Sequence, residues 1–105
     1  MVKIVIASSA EADVSKIFTY LASEAGLRTA VSYIERFDAL YDHLALYPES
    51  CPRRTVLGPQ ARIGIVSPYV VIYRYSEPDD RVVVLRIIHG RRKITGKLLR
   101  QKRKP

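Results

Sequence analysis

The segment Arg81–His89 constrains the fold more than any other part of the chain, because it is apolar on both faces of a strand. Simple alternation puts three apolar residues on each face: Val83, Leu85 and Ile87 on one, and Val82, Val84 and Ile88 on the other. An exposed sheet edge of this composition would aggregate. We therefore expect this segment to be a central strand with a neighbour on each side.

The rest of the chain predicts one strand, two helices and then three strands. A short alternating strand over residues 2–6 precedes two stretches whose apolar residues recur at three- and four-residue steps. Ser8 and Glu11 have the spacing of a capping box at the first helix, which ends at Gly26; the second helix ends before Pro48. A proline-rich loop follows, with a short extended piece at residues 55–57. Strands over residues 62–66, 69–75 and 81–89 then form an antiparallel meander.

This order, β-α-α-β-β-β, predicts an α+β fold in which a helix hairpin packs on one face of an antiparallel sheet. At 105 residues the chain has the size of one domain. We assign residues 1–94 to it and treat residues 95–105 as a basic tail. No apolar run is long enough to span a membrane, and the single cysteine excludes an internal disulfide. We therefore expect a cytoplasmic protein that does not act at a membrane.

Positive charge is concentrated at the end of the chain. Residues 1–80 carry eight Lys and Arg against ten Asp and Glu, whereas residues 81–105 carry ten Lys and Arg and no acid. Such local charge favours an anionic partner. Arg91, Arg92 and Lys93 directly follow Gly90 and the longest strand, so a rigid element would position them, although a solvated strand end explains the cluster equally well. Lys97 and Arg100 belong to the tail.

Tyrosines form the second group of candidate residues. Tyr69, Tyr73 and Tyr75 alternate onto one face of their strand, where packing within the sheet is the simpler interpretation and docking of a partner helix the sharper one. Tyr33 and Tyr47 lie on the second helix and are placed to line a surface groove. Histidine and cysteine occur without the spacing of metal ligands, so we expect neither a metal nor another cofactor.

Two segments carry a family resemblance: Ser67-Pro-Tyr-Val-Val-Ile-Tyr-Arg74 and Val82-Val-Val-Leu-Arg-Ile-Ile-His-Gly-Arg-Arg-Lys-Ile94. They resemble the ParE branch of the RelE/ParE toxins, and the likeness extends over roughly residues 3–94. The resemblance implies the toxin of a bacterial type II toxin–antitoxin module, held by a ParD-like antitoxin and inhibiting DNA gyrase by binding. The expected target-binding residues are Arg91, Arg92, Lys93, Lys97 and Arg100. The expected antitoxin-binding residues are Tyr33, Tyr47, Tyr69, Tyr73 and Tyr75.

The RelE branch supplies the alternative function, a ribonuclease that cleaves messenger RNA in the ribosome. This chain departs from that pattern, because Val70 stands where the RelE branch has an arginine, and no tyrosine follows Tyr75. Only Arg92 has a counterpart among the RelE cations. If the chain is a ribonuclease, its catalytic residues are Arg62, Arg74, His89, Arg91 and Arg92. Direct contact with nucleic acid through the basic tail is a secondary expectation for either branch.

Overall fold

The structure is a computed structural model and describes residues 1–92. Its elements, in chain order, are β1 (Lys3–Ile6), α1 (Ser8–Ala25), α2 (Leu27–Leu46), a single 3₁₀ turn (Thr55–Leu57), β2 (Ala61–Val66), β3 (Tyr69–Ser76) and β4 (Arg81–His89). The predicted α+β order is confirmed. The predicted boundary between residues 94 and 95 and the tail behind it lie outside the described residues. No helix within the described part is long and apolar enough to cross a membrane.

The strand β4 is central, as its two apolar faces predicted. The sheet has the order β1-β4-β3-β2, so β4 lies between β1 and β3. The meander β2–β3–β4 is antiparallel, and β1 joins the free side of β4 in parallel, with Lys3 opposite Arg81 and Ile6 opposite Val84. The sheet as a whole is therefore mixed, because the short first strand adds a parallel edge to the predicted meander.

A β-bulge changes which residues of β4 face the helices. Tyr73 of β3 pairs with Val84, but the preceding residue Ile72 pairs with Arg86, so Leu85 is an extra residue. Val82, Val84 and Ile87 consequently all lie in the core under the helices, whereas Leu85 and Ile88 join the cluster on the opposite face. The predicted simple alternation therefore holds through Leu85 and is wrong beyond it, since Ile87 lies with Val82 and Val84. A bulge re-aims the side chains that follow it, and here it places Ile87 on the helix side of the sheet and Ile88 on the opposite face.

The helix hairpin covers one face of the sheet. Only Gly26 separates α1 from α2, and its φ of +96° lies in the region that favours glycine. The largest fully buried side chains of the core under the hairpin are those of Phe37, Leu44 and Tyr73. A smaller cluster on the opposite face contains Ile63, Val70, Ile72 and Ile88. The predicted helix stripe through Phe37 and Leu44 is thus confirmed.

Side chains of α1 replace the missing strand beside the second half of β4. Beyond β1, the Ala7 amide donates to the Val84 carbonyl at 2.9 Å, and the Ser9 hydroxyl donates to the Leu85 carbonyl at 2.8 Å. Asp13 Oδ2 then accepts the Ile87 amide at 2.9 Å. Buried backbone groups need such partners. The predicted capping box is wrong, because α1 has no side-chain cap and the nearby serine hydroxyl bonds to the strand edge instead.

The loop after α2 pairs with the sheet earlier than predicted. Residues 55–57 form a 3₁₀ turn rather than an extended piece. The extended contact lies at Arg53, which bridges Arg62 of β2, and the Ile63 amide donates to the Pro52 carbonyl at 3.1 Å. The loop therefore covers the first half of β2, the edge strand of the meander.

Candidate functional site

A cleft of about 750 Å³ opens between α1 and the carboxyl end of β4. Its lining combines apolar, aromatic and cationic groups. The apolar residues are Ile17, Leu21, Ile87 and Ile88, the rings are those of Tyr20, Tyr33, Tyr69 and His89, and the cations are Lys16, Arg91 and Arg92. Asp13 and Pro68 complete the wall. Binding clefts typically combine an apolar lining with a few placed polar groups, so this cleft is the candidate functional site.

Aromatic side chains connect the cleft to the core. The buried ring of Tyr69 meets the rings of Tyr33 and Phe37 edge to face, with centroids 5.6 and 6.0 Å apart. On its other side the ring of His89 approaches at 5.7 Å with an interplanar angle of 80°. Edge-to-face pairs at these distances are favourable. Burial, followed by the proximity of Tyr33 and Tyr20, raises the pKa of Tyr69.

The turn after β4 carries the cations of the cleft. The Gly90 amide donates to the Pro68 carbonyl at 2.8 Å, and the Arg92 amide donates to the His89 carbonyl at 2.9 Å. The Arg91 amide donates to Nδ1 of His89 at 3.0 Å, so this ring nitrogen acts as an acceptor. Arg91 and Arg92 are both exposed and both line the cleft. The expected target-binding residues Lys93, Lys97 and Arg100 lie outside the described residues.

Arg86 lies near the cleft but is engaged with α1. Its Nε donates to Asp13 Oδ2 at 2.7 Å and its Nη2 to Asp13 Oδ1 at 3.0 Å, which is a bidentate ion pair. The hydrogen bond to this carboxylate, and its charge, raise the pKa of Arg86. The pair is not visible in the sequence, because Asp13 lies 73 positions away and only the fold brings it close to Arg86.

The residues expected for a ribonuclease are divided among three places. His89, Arg91 and Arg92 line the cleft. Arg62 instead donates through Nη1 to the carbonyls of Cys51 at 2.6 Å and Glu49 at 3.1 Å, and so secures the loop after α2. Arg74 is exposed beside the loop at residues 57–61. Within the described residues, therefore, the structure does not assemble the five side chains into one site.

The expected antitoxin-binding tyrosines also separate. Tyr33 and Tyr69 line the cleft, whereas Tyr47 is 58% exposed at the end of α2, with its ring 5.1 Å from that of His43. Tyr75 is half-buried near Arg62. Tyr73 is fully buried and its hydroxyl donates to the Pro48 carbonyl at 3.0 Å. Direct contact of Tyr73 with a partner is therefore excluded in this conformation, because the helix hairpin covers its ring.

The cleft residues that the sequence interpretation missed include Lys16 and Tyr20. They are four residues apart on α1, which places them on the same side of the helix. That spacing was readable in the sequence, but nothing in the sequence indicated that this side of α1 faces the end of β4. Elsewhere in the described residues, no group of three or more His, Cys, Asp and Glu side chains is arranged to hold a metal ion.

The family follows from a match that spans most of the chain. A model of the ParE toxin of the type II toxin–antitoxin system parDE matches residues 4–94, from β1 through the turn that carries Arg91 and Arg92. The chain belongs to this ParE toxin family. The match covers every strand and helix described above, so the resemblance inferred from the last two strands holds for the whole domain.

Individual relatives agree with this membership. The toxin ParE3 of Caulobacter vibrioides is 29% identical over 86 residues, which are 82% of this chain and 84% of that toxin. A solved structure of the chromosomal ParDE system of P. aeruginosa superposes with a TM-score of 0.71 at 18% identity, covering 85% of this chain and 96% of the other. The RelBE2 toxin–antitoxin complex of Mycobacterium tuberculosis gives 0.59 at 16% identity, covering 84% and 90%. At identities of 18% and 16%, these two structural matches show that the fold is shared and nothing more.

The residue Val70 lies on the face of the sheet opposite the helices. Val70 pairs with Ile88 and is buried in the smaller apolar cluster. It therefore supplies packing where the RelE pattern would supply a cation. The cationic character of the cleft in this chain comes from α1 and from the turn after β4.

Proposed function

We propose that this ParE-family toxin inhibits DNA gyrase by binding it, and that a ParD-like antitoxin neutralises it. The observation that carries the proposal is that some arginines bond to acceptors within the fold, whereas others line the cleft. Arg62 and Arg86 are committed to internal acceptors. Arg91 and Arg92 instead stand exposed at the rim of the cleft, on a turn held by backbone hydrogen bonds. Such placement suits contact with an anionic surface of a protein partner.

The ribonuclease alternative needs cations that converge on one phosphate. Arg62 pairs with Tyr73, which pairs with Val84, and His89 lies five positions after Val84 in β4. At about 3.3 Å per residue this places Arg62 roughly 15 Å along the sheet from His89. Two groups so far apart do not act on the same phosphate, which favours inhibition by binding.

An antitoxin partner is supported by apolar surface on the helix hairpin. Tyr20, Leu27 and Val31 are 62%, 63% and 41% exposed. Exposed apolar groups of this size typically mark an interaction surface when they lie together with a groove. The ParDE and RelBE2 structures named above are both toxin–antitoxin systems. We propose that the antitoxin covers the hairpin and the tyrosines Tyr33, Tyr47, Tyr69 and Tyr75, with an interface of about 1,600 Å² or more.

The decisive experiment adds the purified chain to gyrase and relaxed plasmid and measures supercoiling. We expect inhibition that is lost when the antitoxin encoded beside this gene is added first. Primer extension on abundant transcripts after toxin induction is the companion measurement, and we expect no codon-phased cleavage. Full gyrase activity together with rapid transcript cleavage that depends on His89 or Arg92 would replace this proposal with the ribonuclease.

The basic tail enters the proposal as an electrostatic contribution. Lys93, Lys97 and Arg100 stay predicted target contacts, since they lie outside the described residues. Truncation after Thr95 should weaken inhibition, and the difference from the full chain should shrink as salt is raised, because exposed charges are screened over about 10 Å at 0.1 M salt. A difference independent of salt would argue against an electrostatic role.

A further inference from the structure

We infer that His89 is a positioning residue, whose Nδ1 holds the backbone of Arg91 so that the side chains of Arg91 and Arg92 stand over the cleft. This inference rests on the proposed function for its consequence, since it names the group that arranges the target-binding cations. It differs from the role expected of His89 in a ribonuclease, where the ring would transfer a proton. Here the ring acts as a hydrogen-bond acceptor for the main chain.

Within residues 1–92, three hydrogen bonds hold the turn, and one of these three depends on the side chain at position 89. Gly90 N–H to Pro68 O and Arg92 N–H to His89 O join main-chain atoms, so any residue at position 89 preserves them. The bond from Arg91 N–H to Nδ1 requires an acceptor three bonds from the Cα atom of residue 89. The side chain of His89 therefore decides whether the Arg91 amide is fixed.

The ring of His89 is itself held in place by the core. Tyr69, which is 5% exposed, lies against the ring at 5.7 Å, and Tyr33 and Phe37 of α2 pack against Tyr69. After the bulge at Leu85, His89 pairs with Tyr69, which lies in the core on the helix side of the sheet. A continuous set of ring contacts thus connects the buried face of α2 to the acceptor nitrogen.

Gly90 restricts the turn from the other side. A Cβ atom at this position would lie 3.1 Å from the Pro68 carbonyl oxygen, which is closer than ordinary contact. The close approach permits the 2.8 Å bond from the Gly90 amide to the same oxygen. The backbone between β4 and Arg91 consequently has few allowed conformations, and the hydrogen bond to Nδ1 of His89 fixes the amide of Arg91.

A fixed backbone matters for Arg91 and Arg92 because both side chains are exposed. Ordering flexible groups on binding opposes association, and groups that are already ordered lose less. Loss of one hydrogen bond that orders the turn should therefore weaken target binding by about fivefold, the change that a typical net hydrogen-bond contribution corresponds to. It should do so without removing either positive charge.

Three substitutions separate this role from the alternatives. His89→Asn keeps an acceptor oxygen three bonds from the Cα atom, where Nδ1 lies. His89→Gln moves the acceptor one bond further, to the place of Nε2. His89→Phe keeps a ring against Tyr69 but has no acceptor. We expect the Asn variant to inhibit gyrase like the parent, and the Gln and Phe variants to need about fivefold more protein for half-inhibition.

The reverse order would overturn the inference. If Gln preserves inhibition and Asn loses it, the outer nitrogen contacts the target directly. If Asn, Gln and Phe all lose inhibition equally, the imidazole itself is needed, as for proton transfer. Because Asn and Gln are both small polar residues at an exposed position, they form a matched pair that decides the matter even if the Phe variant folds poorly.

A second measurement needs no gyrase. Amide hydrogen exchange at Arg91, followed by NMR in the full chain, should be slowed in the parent and in the Asn variant and faster in the Gln and Phe variants. Unchanged exchange in the Gln and Phe variants would overturn positioning, whatever the inhibition assay gives. If the parent fails to inhibit gyrase while the exchange pattern appears as expected, the proposed target is wrong and the positioning role of His89 stands.

Discussion

The arginines of the sheet and the arginines of the turn behind it have opposite relations to the fold. Arg62 and Arg86 lie in strands, are largely shielded from solvent, and donate to carbonyl or carboxylate oxygens. Arg91 and Arg92 are exposed, and within the described part of the chain their hydrogen bonds are made by backbone amides. Positive charge alone therefore does not identify a functional cation. A strand arginine that has an internal acceptor stabilises the fold, whereas an exposed arginine without one is available to a partner.

The acceptors arise from how the sheet is completed. Strand β1 ends at Ile6, opposite Val84, so among the described strands none lies beside the next part of the β4 edge. Asp13 of α1 fills this gap by accepting the Ile87 amide with one oxygen and holding Arg86 with both. The pair is therefore part of the sheet's edge, and we expect its loss to affect stability more than any other change considered below.

Asp13→Ala should lower the free energy of unfolding by about 3 kcal/mol, because it leaves a half-buried guanidinium and a strand amide without their acceptor. Urea denaturation followed by circular dichroism measures the change. Glu24→Ala is the matched control, since it removes an exposed carboxylate from the same helix and should change stability by no more than about 0.5 kcal/mol. Equal effects of the two substitutions would contradict a structural role for the ion pair.

Arg62→Met should lower the free energy of unfolding by about 2 kcal/mol, which is the usual contribution of hydrogen bonds from a charged donor. Methionine keeps an apolar stem of similar length but cannot donate to the carbonyls of Glu49 and Cys51. Arg74→Met is the control, because Arg74 is exposed and lies in the neighbouring strand. If the same denaturation experiment shows a lower free energy of unfolding for the Arg62 variant only, Arg62 stabilises the fold and Arg74 does not.

The sequence predicted the elements well because their signals are local. The apolar faces of β4 indicated its central place, and the helical stripe through Phe37 and Leu44 indicated a hairpin over one face. The errors have long-range causes. Ser8 does not cap α1, the neighbouring Ser9 bonds to the Leu85 carbonyl, and the bulge at Leu85 changes the faces on which the later residues of β4 lie. Neither partner is visible from spacing along the chain.

The candidate site was predicted only in part, for the same reason. Arg91 and Arg92 could be singled out because they follow a rigid strand in a segment without acids. The cleft beside them could not be predicted, since Lys16 and Tyr20 come from a helix about 70 residues earlier. Whether an arginine in a strand is exposed to solvent or stabilises the fold depends on partners that are distant in the sequence, as Arg62 and Arg86 illustrate.

Tyr41 provides the converse case, a buried polar group without an acceptor. Within the described residues its hydroxyl has no hydrogen-bond partner, whereas the hydroxyl of Tyr73 donates to the Pro48 carbonyl. Tyr41→Phe should therefore raise the free energy of unfolding by about 1 kcal/mol, and Tyr73→Phe should lower it by about the same amount. The pair tests whether the acceptor, rather than burial, determines the sign. Changes of the same sign in both variants would contradict this.

The pH dependence adds a second measurement for Tyr41. Burial, and then the nearby charge of Asp38, raise its pKa from 10.0 to about 12. Because the pKa of Tyr41 is higher in the folded state than in the unfolded state, its titration does not affect the free energy of unfolding below pH 10. As the pH rises towards 12, the free energy of unfolding falls. The parent should therefore lose more stability than Tyr41→Phe between pH 10 and 12. Parallel stability curves for the two proteins would show that the hydroxyl is not shielded.

The double substitution Arg91→Ala with Arg92→Ala should have the smallest effect on stability and a large effect on function. Neither side chain has an acceptor among the described residues, so the free energy of unfolding should change by no more than about 0.5 kcal/mol. Inhibition of gyrase supercoiling should nevertheless fall by roughly tenfold or more, as for cations at the centre of a contact. Antitoxin affinity should largely persist, because the proposed antitoxin contacts are made by apolar and aromatic groups of the hairpin and sheet rather than by these two cations.

Arg28→Ala with Arg74→Ala is the matched control, since it removes two exposed cations and leaves the net charge equal to that of the test variant. If inhibition depended only on net charge, the two double variants would behave alike, and the positioned turn would have no special role. If the Arg91 and Arg92 variant inhibits as well as the parent and only truncation after Thr95 matters, the tail is the effector. The proposed contact requires a third pattern, in which the control inhibits fully and the cleft variant does not, at equal stability.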